Sequence, residues 1–399
     1  MSFRIALTGL GAAAADLGIT ADNIANANTN GFKQSRTEFA DLVAGNGRGT
    51  NIVGDGVQIA SVSQNFSQGN ISFTGNPLDL AISGKGFFRV DSGGSTAYSR
   101  SGVFGTDREG FIVNPLGQQL TGFTADADGN ITGNIASLQV NTGKLPPRAT
   151  GAIEVGANLN AADTAPATAF DAANPATFND STSLTFFDSL GTPHVASIFF
   201  RKTGANAWEN FVTVDNVQVG GATAITFDTA GQLTAPAGGT LNTASFTPAG
   251  AAAQTISIDL NQVTQFGSGF GINFLLQDGF SSGQLAGVEI EESGVLFARY
   301  TNGESLALGQ VALTDFANAQ GLTRVGDNSW AESFSSGQPL TGAPDSATLG
   351  IIKAGSLEDS NVELTEQLVD VINSQRSFQA NAQVITASDQ LTQTILNIN

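Results

Sequence analysis

The sequence predicts a mainly β protein held between two terminal α-helices, on three observations. Both ends carry apolar residues at alternating steps of three and four, the seam spacing of a coiled coil. The residues between them run in short apolar/polar alternations broken by Gly and Asn. The composition, 48 Gly and 13% charged residues in a chain of 399, suits turn-rich β structure.

The first helix spans residues 1–28, ~42 Å at 1.5 Å per residue. Its stripe is Phe3, Leu7, Leu10, Ala14, Leu17, Ala21 and Ile24, with Asn28 as its one polar position. Gly9, Gly11 and Gly18 each weaken it by ~1 kcal/mol relative to Ala, so it orders on packing. Asn30-Gly31 ends it. Residues 54–122 read as short strands: Leu78, Leu80 and Ile82 share one face, and Phe87 and Phe88 start the next strand. Residues 145–180 and 216–255, rich in Ala, Thr, Gly, Asn and Pro, read as surface-facing β structure or long loops. Residues 284–325 return to strands, with Asn302-Gly303 between apolar runs as a hairpin turn. Ser360 and Glu363 form an S-x-x-E capping box that starts the last helix. Its stripe is Leu364, Leu368, Val371, Gln375, Phe378, Ala382, Ile385 and, after a lapse at Asp389 and Thr392, Leu396. Past Val371 its charged residues are Arg376 and Asp389 alone, and its other polar positions include Gln379 and Gln383.

Charge and side-chain inventory exclude several functions. The net charge is −19, from 16 basic and 35 acidic residues, which argues against nucleic acid and anionic membranes as partners. Residues 1–40 sum to zero, Arg4, Lys33 and Arg36 against Asp16, Asp22 and Glu38. A neutral helix suits a surface that meets copies of itself. With no Cys and a single His, His194, disulfides, thiolate sites and multi-histidine metal sites are excluded. No apolar run is long enough to span a membrane. Arg4 followed by the mildly apolar 5–15 imitates a signal peptide, but Thr8, Gly9 and Gly11 interrupt it and the stripe continues past Ala14.

Three catalytic or binding motifs fail on inspection. Gly279-Phe280-Ser281-Ser282-Gly283 fits G-x-S-x-G, but His194 precedes the Ser and a strand-like run follows it where a hydrolase needs a helix. Residues 126–130 (DADGN) imitate a calcium loop, yet position twelve is Ser137 where a bidentate Glu belongs, so a tight turn is the better account. Ser83-Gly84-Lys85-Gly86 lacks the Ser or Thr of a phosphate loop. No catalytic, cofactor-binding or metal-binding residue is therefore expected.

One resemblance adds to this reading. Residues 23–33 (NIANANTNGFK) closely resemble the N-terminal signature of the axial proteins of the bacterial flagellum, the rod, hook and hook-associated family. Its positions here are Asn23, Asn26, Asn28, Gly31 and Phe32. Residues 75–90, 98–102 and 107–111 resemble the family's following signatures, and 355–364 its C-terminal one. The stretch 183–208, with Asp188-Ser189-Leu190-Gly191, His194, Lys202 and Trp208, is similar to an insert of the hook members that rod members lack. The resemblance implies nested, discontinuous β domains. Residues 1–30 and 360–399 form a helical polymerisation core in which the two end helices pair like a coiled coil. Residues 31–75 and 350–359 connect it to an inner β domain of 76–145 and 284–349, and 146–283 form an outer one. It further implies a curved, tubular homopolymer outside the cell that passes torque from rod to filament. Implied partners are rod proteins at the base, junction proteins and a cap at the tip, and the flagellar export apparatus, with no cleaved signal peptide and no membrane insertion. A distal rod or hook-associated component is the alternative, and a secreted hydrolase using Ser281 the remote one. Gln379 and Gln383, on the uncharged face of the last helix, are expected to line the export channel.

Overall fold

The computed structural model describes residues 2–43 and 54–398, with side chains described from Phe3 to Thr394. The chain divides into two compact units. The larger comprises Met1–Thr142, Gly287–Ala298 and Ser305–Asn399, the smaller Gly143–Ala286 and Arg299–Glu304.

In the larger unit, helix α1 (Ser2–Ala25) leads into strands β1 (Ser35–Val43) and β2 (Gly54–Gln64), an antiparallel pair lying along the helix. Helix α2 (Leu364–Ile398) packs beside α1. Both expected helices exist, but their ends shift. α1 stops at Ala25, before Asn28, because the backbone bonds switch from i−4 to i−3 partners there: Asn26 N–H is shared between Asp22 O and Asn23 O, then Ala27 N–H bonds Ile24 O and Thr29 N–H bonds Asn26 O. α2 starts at Leu364 without the expected capping box. Ser360 Oγ accepts from Val362 N–H at 3.3 Å, and Glu363 is the N-cap, its carbonyl taking Gln367 N–H at 3.0 Å. Phe3–Ala25 is also long and apolar enough, at mean hydropathy 1.2, to cross a membrane by length and composition. This corrects the sequence expectation, because its Gly and Ala residues dilute the apolar run without adding charge.

Beside two two-stranded pairs, 80–83 with 351–354 and 71–73 with 356–358, this unit carries most of a 13-stranded sheet. Strand 87–92 sits inside it, pairing with 95–99 and 119–125. Phe87, Tyr98, Phe316 and Trp330 form an aromatic cluster, with ring centroids 4.8–6.1 Å apart in its closest pairs. The hairpin at Asn302-Gly303 forms as expected: Gly303, at φ 88°, bonds Tyr300 O. Residues 126–130 are the tight turn expected, with Asp126 Oδ1 accepting from Asp128 and Asn130 N–H.

The smaller unit is a β-sandwich. A four-stranded sheet (240–242, 257–266, 152–160, 271–277) and a six-stranded sheet (180–187, 193–204, 207–214, 217–218, 223–227, 233–235) share one core. Ile153, Val155, Ala157 and Leu159 point into that core with Phe186, Ile198, Phe200, Trp208 and Ile258. Strand 152–160 is therefore central, contrary to its reading as surface structure. Its Gly156, Ala157 and Asn158 look like loop residues, yet a Cβ on Gly156 would lie 2.5 Å from the Phe274 ring, so the small residue makes room for a large neighbour.

Candidate assembly interface

The signature at the end of α1 is a knot that ties both chain ends to the sheet. Asn23, 2% exposed, donates from Nδ2 to Ser35 O at 2.8 Å and to Gln367 Oε1 at 2.9 Å, and its Oδ1 accepts from Ser35 N–H at 2.9 Å. One amide thus joins α1, β1 and α2. Asn26 caps α1 locally through Asp22, and Asn28 is exposed outside the network. Gly31 has φ 72°, its N–H bonds Glu358 O at 2.8 Å, and a Cβ there would lie 2.4 Å from Ser101 N. No other residue type fits that conformation and that approach together. Phe32 is buried behind it.

Next to Gly31 lies an ionic cluster that sequence reasoning missed. Glu358 accepts from Lys33 Nζ at 2.6 Å, Arg100 Nη1 at 3.1 Å and Gly69 N–H at 2.9 Å. The three charged side chains are 0–6% exposed. Lys33 also donates to Ser67 O, and Arg100 to Gly84 O at 2.7 Å. Burial pulls the Lys33 ammonium and the Arg100 guanidinium below their ordinary pKa values, against the pull of Glu358. Two cations on one carboxylate make an arrangement that holds only while every member is present. The available signal was modest. In a chain with 13% charged residues, each signature stretch carries a charge of its own, but nothing local pairs residues 325 and 258 positions apart.

The helix pair uses a different stripe from the one the sequence marked. Asn23 meets Gln367, Asp16 Oδ2 accepts from Ser374 Oγ at 2.5 Å, and a Cβ on Gly9 would lie 2.6 Å from Asn381 Oδ1. Each step is minus seven on α1 and plus seven on α2, an antiparallel heptad ladder made of polar and small residues. Ala6, Ala13, Thr20 and Asn23 are buried along this face of α1. The marked seam lies one position on, about 100° around the helix. Phe3 and Leu7 are 47% and 51% exposed; Ala14 and Ala21 are exposed, and Leu10, Leu17 and Ile24 are half-buried. On α2, Leu364, Leu368 and Phe378 are exposed, as are Gln379 and Gln383, while Val371, Ala382 and Ile385 are half-buried. The side chain of Leu396 lies outside the described residues.

His194 Nδ1 lies 2.6 Å from Asp215 Oδ2 and Nε2 3.3 Å from Asp188 Oδ2, so both ring nitrogens are engaged and neither is left to activate Ser281. Burial alone would lower the His194 pKa, but bonds to the two carboxylates outweigh it and raise it. No group of three or more potential metal ligands occurs among the described residues.

Comparison with known proteins matches successive parts of the chain to four family descriptions. They are flagella basal body rod protein (3–33), flagellar hook protein FlgE/F/G D1 domain (81–158), flagellar basal body protein FlaE D2 domain (158–280) and flagellar basal body rod FlgEFG protein C-terminal (353–398). The flagellar hook protein FlgE of Escherichia coli K12 is 37% identical over 407 residues, covering 100% of both chains. That of Brucella suis is 32% identical over 402 residues, covering 99% and 98%. The crystal structure of Helicobacter pylori flagellar hook protein FlgE2 shares the fold at TM-score 0.56 and 15% identity, covering 72% of this chain and 100% of that one. Lys33, Arg100 and Glu358 each come from a different matched segment, and the hook relatives align end to end: the chain belongs to the flagellar hook protein family.

Proposed function

We propose that this chain, a structural subunit of the bacterial flagellar hook, polymerises through the outward stripes of its two terminal helices. The observation that carries this reading is the inversion of the helix pair. Small and polar side chains fill the intramolecular contact, while Phe3, Leu7, Leu364 and Leu368 face outward. Exposed apolar stripes on long helices invite partner helices, and head-to-tail contacts that do not close build an open tube. The nested divisions of the chain form its concentric layers, with the β domains outside the helical core. The curved tube passes torque from rod to filament, contacting rod proteins below and junction proteins above, and it grows under a cap fed by the export apparatus. The exposed Gln379 and Gln383 face the export channel, where uncharged polar side chains offer unfolded chains little grip. The subunit is exported without a cleaved signal and has no catalytic role.

The test is polymerisation of the purified full chain against a chain lacking residues 1–28 and 364–399. Tubes should form from the full chain alone, and tubes from the truncated chain would end this reading.

A further inference from the structure

Phe334 is 105% exposed, more than any other large apolar side chain among the described residues. The turn that carries it is braced by hydrogen bonds. Ser336 is fully buried; its Oγ donates to Ser333 O at 2.8 Å and accepts from Ser333 N–H at 3.0 Å. Ser333 Oγ accepts from Ser335 N–H at 3.0 Å and donates to Gly321 O. Asn318 holds the far side, with Nδ2 donating to Ser335 O at 2.9 Å and N–H to Ser336 O at 3.2 Å. A Cβ on Gly321 would lie 2.4 Å from Ser335 C, so the turn rests directly on backbone. Strand 323–326, which follows Gly321, is the last in its sheet and exposed throughout, including Val325. A ring held out by a pre-ordered turn loses little conformational freedom on docking, which is what an aromatic anchor requires.

We infer that Phe334 is an anchor that inserts into the larger unit of a second copy of this chain. This rests on the self-assembly proposed above. Two observations select a second copy. Residues 317–337 carry only Arg324, Asp327 and Glu332, charges of both signs, so no block of like charge holds a second copy of the chain away from this turn. The turn also belongs to the same compact unit as both terminal helices, so stacking the helices of neighbouring copies brings these units side by side. A single ring is far too small for a stable dimer of its own, where about 800 Å² per partner is usual. The anchor therefore acts within the polymer and leaves the free subunit monomeric.

The experiment places photo-crosslinking p-benzoylphenylalanine at position 334 of the full chain. Irradiation of assembled tubes should give a covalent dimer of this chain, and irradiation of dilute monomer should not. In parallel, Phe334→Ser should raise the critical concentration for assembly by about tenfold to a hundredfold, the value of burying one such side chain, with the unfolding transition unchanged. Tubes that yield no crosslinked dimer, or an unchanged critical concentration for Phe334→Ser, would overturn the anchor while leaving helix-driven assembly standing. Failure of the unmodified chain to form tubes would overturn both.

Discussion

Glu358→Gln is the sharpest test of the knot. The wild-type carboxylate takes Lys33 Nζ at 2.6 Å, Arg100 Nη1 at 3.1 Å and Gly69 N–H at 2.9 Å, in a site where the three charged side chains are 0–6% exposed. The amide keeps the shape, but it leaves two buried cations without a counter-charge and turns an NH₂ group toward one of them. Removing one partner of a buried ion pair costs about 3–5 kcal/mol. The Lys33 pKa, already lowered by burial, limits the loss, because the ammonium can shed its proton. The two tryptophans make the measurement specific, since Trp330 lies in the larger unit and Trp208 in the smaller. In a Trp208→Phe background, urea unfolding followed by Trp330 fluorescence should shift down by about 1–2 M, for a slope of about 2–3 kcal/mol/M. In a Trp330→Phe background the Trp208 transition should stay in place. A Trp330 shift worth less than about 1 kcal/mol would refute the claim that this cluster holds the chain ends to the sheet.

Three further outcomes follow from the same geometry. Gly31→Ala should destabilise the larger unit by about 2 kcal/mol or more, since it adds backbone strain at φ 72° to a clash with Ser101 backbone; Gly9→Ala, whose clash is with the movable Asn381 side chain, should cost under about 1 kcal/mol in the same urea titration. In the smaller unit, His194 has a raised pKa, so its contribution is full below its unfolded value of about 6.5 and is lost as pH rises through the folded one; His194→Asn should remove that part of the pH slope seen by Trp208. Asp180 has the same sign in a lower window: burial and Asp163 push its pKa up to about 6, so stability falls as pH rises from about 4 through 6, and Asp180→Asn should be more stable than wild type at pH 7 and flatter across that window.

How much was legible depends on how local each signal was. The 3–4 spacing located both helices, and Asn302-Gly303 located a hairpin, because those structures are decided by residues a few positions apart. The residues 23–33 also stood out as a unit. Their chemistry did not, because Asn23 acts on Ser35 and Gln367, and Lys33 acts on Glu358. The capping box failed for a related reason. Ser360 and Glu363 have the right spacing, but Asn361 is drawn to Gln34 N–H and Asn65 O, which keeps the chain extended until Leu364.

By itself, then, the sequence determined that two long helices flank a β-rich body and that each carries an apolar stripe. Only the tertiary structure decided which stripe faces inward. Two stripes one residue apart share the same period, so periodicity cannot choose between them. The choice rests on close approach: Gly9 and Ala13 let the helices near each other, Asn23 bonds Gln367 and Ser374 bonds Asp16 across that short gap, and Asn381 packs against Gly9 while bonding Ser377 O on its own helix. Polar groups paired in this way are buried at little net cost. The apolar stripe, free of that demand, is left for the outside of the pair.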